Sequence, residues 1–156
     1  MPTSRILRCF KYDTKKIKAG TFHILLGVND LGLTASVERI MRSPPVTALF
    51  SDTVWSIANK MFTNNIGSVV VMSGGAPTGL VTERDIVKSV VRDKKDPNKT
   101  RAQDIMSTPL IAIEANKTIR DALELMREKD VRRLAVTKNG RLVGVISERR
   151  VLDSLL

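Results

Sequence analysis

The sequence predicts an α+β fold: two tandem β-α-β-β-α repeats packed sheet to sheet about a pseudo-two-fold axis. Three observations predict it. The chain repeats itself at an offset of 65 residues without a gap. Each copy combines short apolar runs of strand character with one apolar stripe of helical period. Each copy is also small enough to be marginal alone, so the two must share burial.

The repeat rests on ten identities between 40–87 and 105–152. Ile40-Met41 falls on Ile105-Met106, Pro44 on Pro109, Thr53 on Thr118, Met61 on Met126 and Val71 on Val136. Gly75 falls on Gly140, Gly79 on Gly144, and Glu83-Arg84 on Glu148-Arg149. Conservative pairs such as Val46/Ile111, Ile66/Val131 and Val81/Ile146 fill the space between.

Each copy opens after its proline with an extended piece, "VTALF" at 46–50 and "IAI" at 111–113. An amphipathic helix follows. Its apolar positions are Val54, Ile57, Ala58, Met61 and Phe62 in the first copy, and Ile119, Ala122, Leu123 and Met126 in the second. Thr118 with Asp121 three residues on reads as a capping box. Two strands come next, "SVVVM" 68–72 and "GLVT" 79–82, then "RLAVT" 133–137 and "LVGVIS" 142–147. Glycine turns at "SGGAP" and "KNG" join them. A closing helix starts after Thr82 or Ser147. The expected organisation is a basic extension at 1–33, a first repeat at 34–91, a polar linker at 92–100 and a second repeat at 101–156.

Composition narrows the function classes. The 42% apolar and 4% aromatic content describes an aliphatic core. A lone cysteine, Cys9, excludes an internal disulfide and a multi-cysteine metal site, so no metal is expected. No sustained apolar run suits a secretory signal or a membrane span, and a cytoplasmic protein is expected. The formal charge of +10 favours anionic partners without choosing among them. Catalysis finds little support. His23 is the single histidine, Cys9 has no base nearby in sequence, and neither a P-loop nor a G-x-S-x-G is present. Glu83 recurs as Glu148, as suits an acid at a helix start. No enzyme, catalytic residue or catalytic cofactor is expected.

"IMRSPPV", "IMSTPLI", "DTVWSIANKM", "KTIRDALELM", "VRRLAV", "GLVTERDIV" and "GVISERRVL" recur in order and spacing. With them, the chain from about 37 to 156 resembles a tandem pair of CBS domains, the cystathionine β-synthase regulatory type. The resemblance implies a non-catalytic sensor that binds an adenine nucleotide between the repeats, dimerises as a flat disc and signals to a regulated partner protein. AMP is the first expectation, with ADP and ATP behind it. S-adenosylmethionine ranks lower, because it would leave paired arginines without a phosphate.

Carried onto this chain, the resemblance implies a first cleft of Leu80, Thr82 and Asp85 with Leu110, Ile111, Val131, Arg132 and Arg133. Asp85 would accept from ribose hydroxyls. Thr82 sits where a helix start favours phosphate, Ile111 and Val131 would sandwich the base, and the arginines would hold phosphate. The same Thr82-x-x-Asp85 spacing also makes a capping box. The second cleft would take Pro45, Val46, Ile66, Gly67 and Ser68 with Val145, Ser147 and Arg150. Arg150 stands where the first copy has Asp85, and an arginine only donates hydrogen bonds. The uncharged Gly67-Ser68 stands where the second copy has Arg132-Arg133. The second cleft is therefore expected to be weaker, or suited to another anion.

A second function class competes. Residues 5–18 carry six basic side chains interleaved with Phe10 and Tyr12, a composition that suits nucleic acid. On that reading the repeats serve as a dimerisation or regulatory platform.

Overall fold

The computed structural model describes residues 30–155. The basic segment at 5–18, Cys9 and His23 lie outside the described residues. A one-turn helix α1 (Asp30–Leu33) and a 3-10 turn (Val37–Arg39) precede the first sheet. That sheet holds β1 (Thr47–Leu49), β2 (Ser68–Ser73) and β3 (Ala76–Thr82) in the order β1-β2-β3, with helix α2 (Val54–Asn64) between β1 and β2. Helix α3 (Glu83–Val87) closes the repeat and runs into a π-helical turn (Lys88–Arg92).

The second repeat copies the first. A 3-10 turn (Ala102–Asp104) leads to β4 (Ala112–Glu114), α4 (Ile119–Glu128), β5 (Arg133–Lys138), β6 (Arg141–Ser147) and α5 (Glu148–Leu155). In both sheets the first pair is parallel and the second antiparallel. Even the register shift recurs, at Val71/Met72 and at Val136/Thr137. The hairpin turns require positive φ, supplied by Gly74 and Gly75 in one copy and by Asn139 and Gly140 in the other. The peptide bonds Ser43-Pro44 and Thr108-Pro109 are both cis.

Each repeat has its own aliphatic core. Ile57 and Met61 of α2 pack with Val69 and Val71 of β2, Val81 of β3 and Ala48 of β1. Ile119, Ala122 and Met126 of α4 pack with Leu134, Val136, Ile146 and Val151. Strand alternation turns Val70 and its counterpart Ala135 to the opposite sheet faces, and both are fully buried. A sheet buried on both faces is what sheet-to-sheet packing requires. Phe62 departs from the expected helix stripe: it is 89% exposed. The buried stripe of α2 is narrower than the periodicity suggested, running through Val54, Ile57 and Met61.

The two cores are completed crosswise. Val37, which precedes the first sheet, is fully buried in the second core, and Ala102, which precedes the second sheet, in the first. Burying a valine side chain is worth about 1.5–3 kcal/mol. The helix starts are also crossed. The Val54 N–H at the head of α2 donates to the Thr100 carbonyl at 2.9 Å, and the Ile119 N–H at the head of α4 donates to the Ala35 carbonyl at 2.9 Å. Orphan N–H groups at each helix head are thus met by the chain that leads into the other repeat. The expected linker takes part, since the Trp55 N–H bonds to the Pro97 carbonyl at 3.0 Å.

Candidate functional site

The crossed segments bring the ends of one repeat against the start of the other, and a cavity of about 1170 Å³ lies there. Its apolar wall comes from Pro45, Val46 and Ile66 of the first repeat and Val145 of the second. Gly67, Ser68, Ser147 and Arg150 also line it, so all eight residues assigned to the second cleft meet in one space. Of the first-cleft set, Arg132 and Arg133 line this cavity.

The other first-cleft residues have their own placements. Leu80 exchanges backbone hydrogen bonds with Ser107, at 2.9 and 3.1 Å, and so sits where the repeats join. Leu110 is half-buried, and Ile111 and Val131 are half-buried side chains packed on the second core. Thr82 and Asp85 form the capping box of α3. Asp85 Oδ2 accepts from the Thr82 N–H at 2.8 Å and from the Thr82 hydroxyl at 2.6 Å, and the Asp85 N–H donates to Thr82 Oγ1 at 3.3 Å. All three bonds use Oδ2 or the backbone. Among the described residues Asp85 Oδ1 has no hydrogen-bond partner and remains free to accept.

The second closing helix has half of this box. The Arg150 N–H donates to Ser147 Oγ at 3.3 Å, but the arginine side chain cannot accept in return. Instead Arg150 Nε donates to the carbonyl of Ile40, in the part of the first repeat that precedes its sheet. The divergence from Asp85 to Arg150 therefore exchanges a free acceptor for a donor that ties the repeats together.

Arg42 and Arg132 each have a partner within the chain. Arg42 Nη2 donates to the Asn64 carbonyl at the end of α2, at 2.8 Å. Arg132 Nε lies 3.9 Å from Glu148 Oε2, at the head of α5. Arg133 reaches across to the first repeat: a methyl group built on Gly67 would lie 2.8 Å from Arg133 Nη2 and 2.8 Å from Glu83 Oε2. Gly67 thus leaves the space into which both side chains extend. The charged cavity residues that sequence reasoning did not assign to a cleft are Arg42, Glu83, Glu148, Arg149 and Asp153. The exact recurrence of Glu-Arg at 83–84 and 148–149 was a signal for Glu83, Glu148 and Arg149; Arg42 and Asp153 left none.

Among the described residues no group of three or more His, Cys, Asp or Glu side chains is placed to hold a metal ion. Among them, too, no helix is long and apolar enough to cross a membrane. Ionisation is perturbed away from the cavity. Asp121 is held below its ordinary value by the Thr118 N–H and hydroxyl, and Asp52 by its hydrogen bond from Lys60.

Comparison with known proteins adds a family. The CBS domain model matches residues 37–92 and 102–156. The chain is 37% identical over 122 residues to an uncharacterised protein of Methanopyrus kandleri, a match covering 77% of this chain and 62% of that protein's length. It is 29% identical over 113 residues to the CBS domain-containing protein YhcV of Bacillus subtilis, covering 72% of this chain and 80% of that one. Among solved structures, the hexameric CBS-CP12 protein of bloom-forming cyanobacteria superposes with a TM-score of 0.70 at 28% identity, covering 76% of this chain and 69% of that one. Proteins made of a CBS pair are generally non-catalytic regulatory modules. Two family matches, one on each sheet-and-helix repeat, place this chain in the CBS domain family as a tandem pair.

Proposed function

We propose that this chain is a regulatory module that binds an adenine nucleotide, AMP first and ADP or ATP behind it, between its two repeats. The observation that carries the reading is the inter-repeat cavity, which joins an apolar wall to adjacent arginines. An aromatic base suits the first surface, and phosphate suits the guanidinium fork. Preference for adenine rests on the family resemblance.

Arg132 and Arg133 form the phosphate end. At the first cleft, whose Asp85, Ile111 and Val131 lie outside that cavity's lining, the free Oδ1 of Asp85 suits a ribose, with Ile111 and Val131 beside the base. The second cleft lacks such an acceptor, and its Arg150 is already bonded to the Ile40 carbonyl. Occupancy biases the relation between the repeats, which a partner protein in the cytosol reads. The exposed Trp55, Val87 and Val91 side chains support self-association.

The test is a thermal-shift series with AMP, ADP, ATP, GTP and S-adenosylmethionine on the full chain, Asp85→Ala and Arg150→Ala. Ligand at about 100 times its dissociation constant stabilises the fold by roughly 2.7 kcal/mol. A shift with an adenine nucleotide that Asp85→Ala abolishes supports the first cleft. A shift that survives Asp85→Ala and dies in Arg150→Ala moves the ligand to the second. No shift with any of the five defeats the reading.

A further inference from the structure

The cavity carries charges of both signs. Arg42, Arg132, Arg133, Arg149 and Arg150 face Glu83, Glu148 and Asp153, a formal balance of +2. The acids are not scattered among the bases. Glu83 and Glu148 occupy the same repeat position, each the first residue of a closing helix. Each also stands by one of the two adjacent arginines. Glu148 lies 3.9 Å from Arg132. Glu83 and Arg133 converge on the space above Gly67, each 2.8 Å from the same point. These two come from different repeats, so their meeting is specific to the assembled cleft. Gly67 permits it, because any side chain there would displace both.

Resting on the nucleotide reading above, we infer that Glu83 selects the ligand by charge. Its carboxylate stands where phosphate would approach Arg133 and cancels part of that arginine's attraction. A monophosphate brings about two negative charges, matching the cavity's balance. Each further phosphate adds negative charge that Glu83 repels. The cleft is thereby set for monophosphate over the longer chains, even though its arginines alone would favour the most highly charged ligand. Glu83 is exposed and belongs to no core, so its replacement changes the charge and leaves the packing alone.

The experiment is isothermal titration of AMP, ADP and ATP into the full chain and into Glu83→Gln, in magnesium-free buffer of fixed ionic strength. Glu83→Gln is expected to bind all three more tightly, by about threefold to fivefold for AMP and about tenfold or more for ATP. The ratio of ATP to AMP affinity rises as a result. An equal change for all three nucleotides, no change, or weaker binding overturns the inference and leaves the nucleotide reading standing. Binding of no nucleotide to either protein overturns both.

Discussion

Arg42 and Val145 exchange two backbone hydrogen bonds, Arg42 N–H to the Val145 carbonyl at 2.8 Å and Val145 N–H to the Arg42 carbonyl at 3.0 Å. Their counterparts Leu80 and Ser107 do the same. Each sheet is therefore extended by a piece of the opposite repeat. Cut between 93 and 94, the two fragments are expected to show no cooperative unfolding when heated separately. Mixed in equal amounts they regain one transition, followed by circular dichroism. A sharp transition in either isolated fragment would contradict the crossed core.

The same junction fixes two glycines. A methyl at Gly144 would lie 2.8 Å from the Arg42 carbonyl, and one at Gly79 would lie 2.9 Å from the Ser107 carbonyl. Backbone cannot yield as a side chain can. Gly144→Val and Gly79→Val are each expected to cost about 1–3 kcal/mol or more by overpacking, read from urea unfolding midpoints.

Helix α2 offers a paired test of burial. Ile57 is fully buried and Phe62 is 89% exposed. Ile57→Ala should cost about 2–5 kcal/mol. Phe62→Ser, although it removes a larger side chain, should change stability by no more than about 0.5 kcal/mol.

Asp121 gives a pH dependence with a definite sign. Its carboxylate accepts from the Thr118 N–H at 2.8 Å, and its folded-state pKa lies below the ordinary 3.8. A lowered folded pKa means that the unfolded chain takes up the proton first. The stabilisation is present above pH 3.8 and is lost as pH falls below it, through the folded value. Asp121→Ala should cost about 1 kcal/mol at pH 7. The gap from the parent protein should narrow in unfolding curves taken below pH 3.8.

The six strands and four main helices were readable from the sequence because each obeys a local rule. Val69 and Val71 alternate, Ile119 and Met126 keep helical spacing, and Asn139-Gly140 demands a left-handed turn. The repeat multiplied that signal, since each element was written twice. Crossing of the leading segments was not readable. Val37 and Ala102 look like ordinary apolar residues in turns, and only the assembled fold decides which core receives them. Phe62 misled for a related reason: apolar character marks what a helix can bury, whereas burial depends on what lies opposite. In the site, it was the family resemblance, carried onto both copies, that grouped the second-cleft residues, and they line one cavity. The approach of Glu83 to Arg133 joins side chains of different repeats through the space left by Gly67, and no pattern within one repeat encodes it.

The crossed junction also sets an order on synthesis. Glu38 contacts Lys138, 100 residues later in the chain. At ordinary elongation rates that interval lasts about 5–20 s. The first sheet can acquire its borrowed piece as soon as residue 107 has emerged, because Ala102, Ile105 and Met106 then become available. Val37, Ile40 and Met41 must wait for β6 and α5 of the second repeat before water leaves them. A nascent chain that stops short of Val145 carries an uncovered apolar turn at Val37–Arg39, and that turn is where a chaperone or a degradation system would find it.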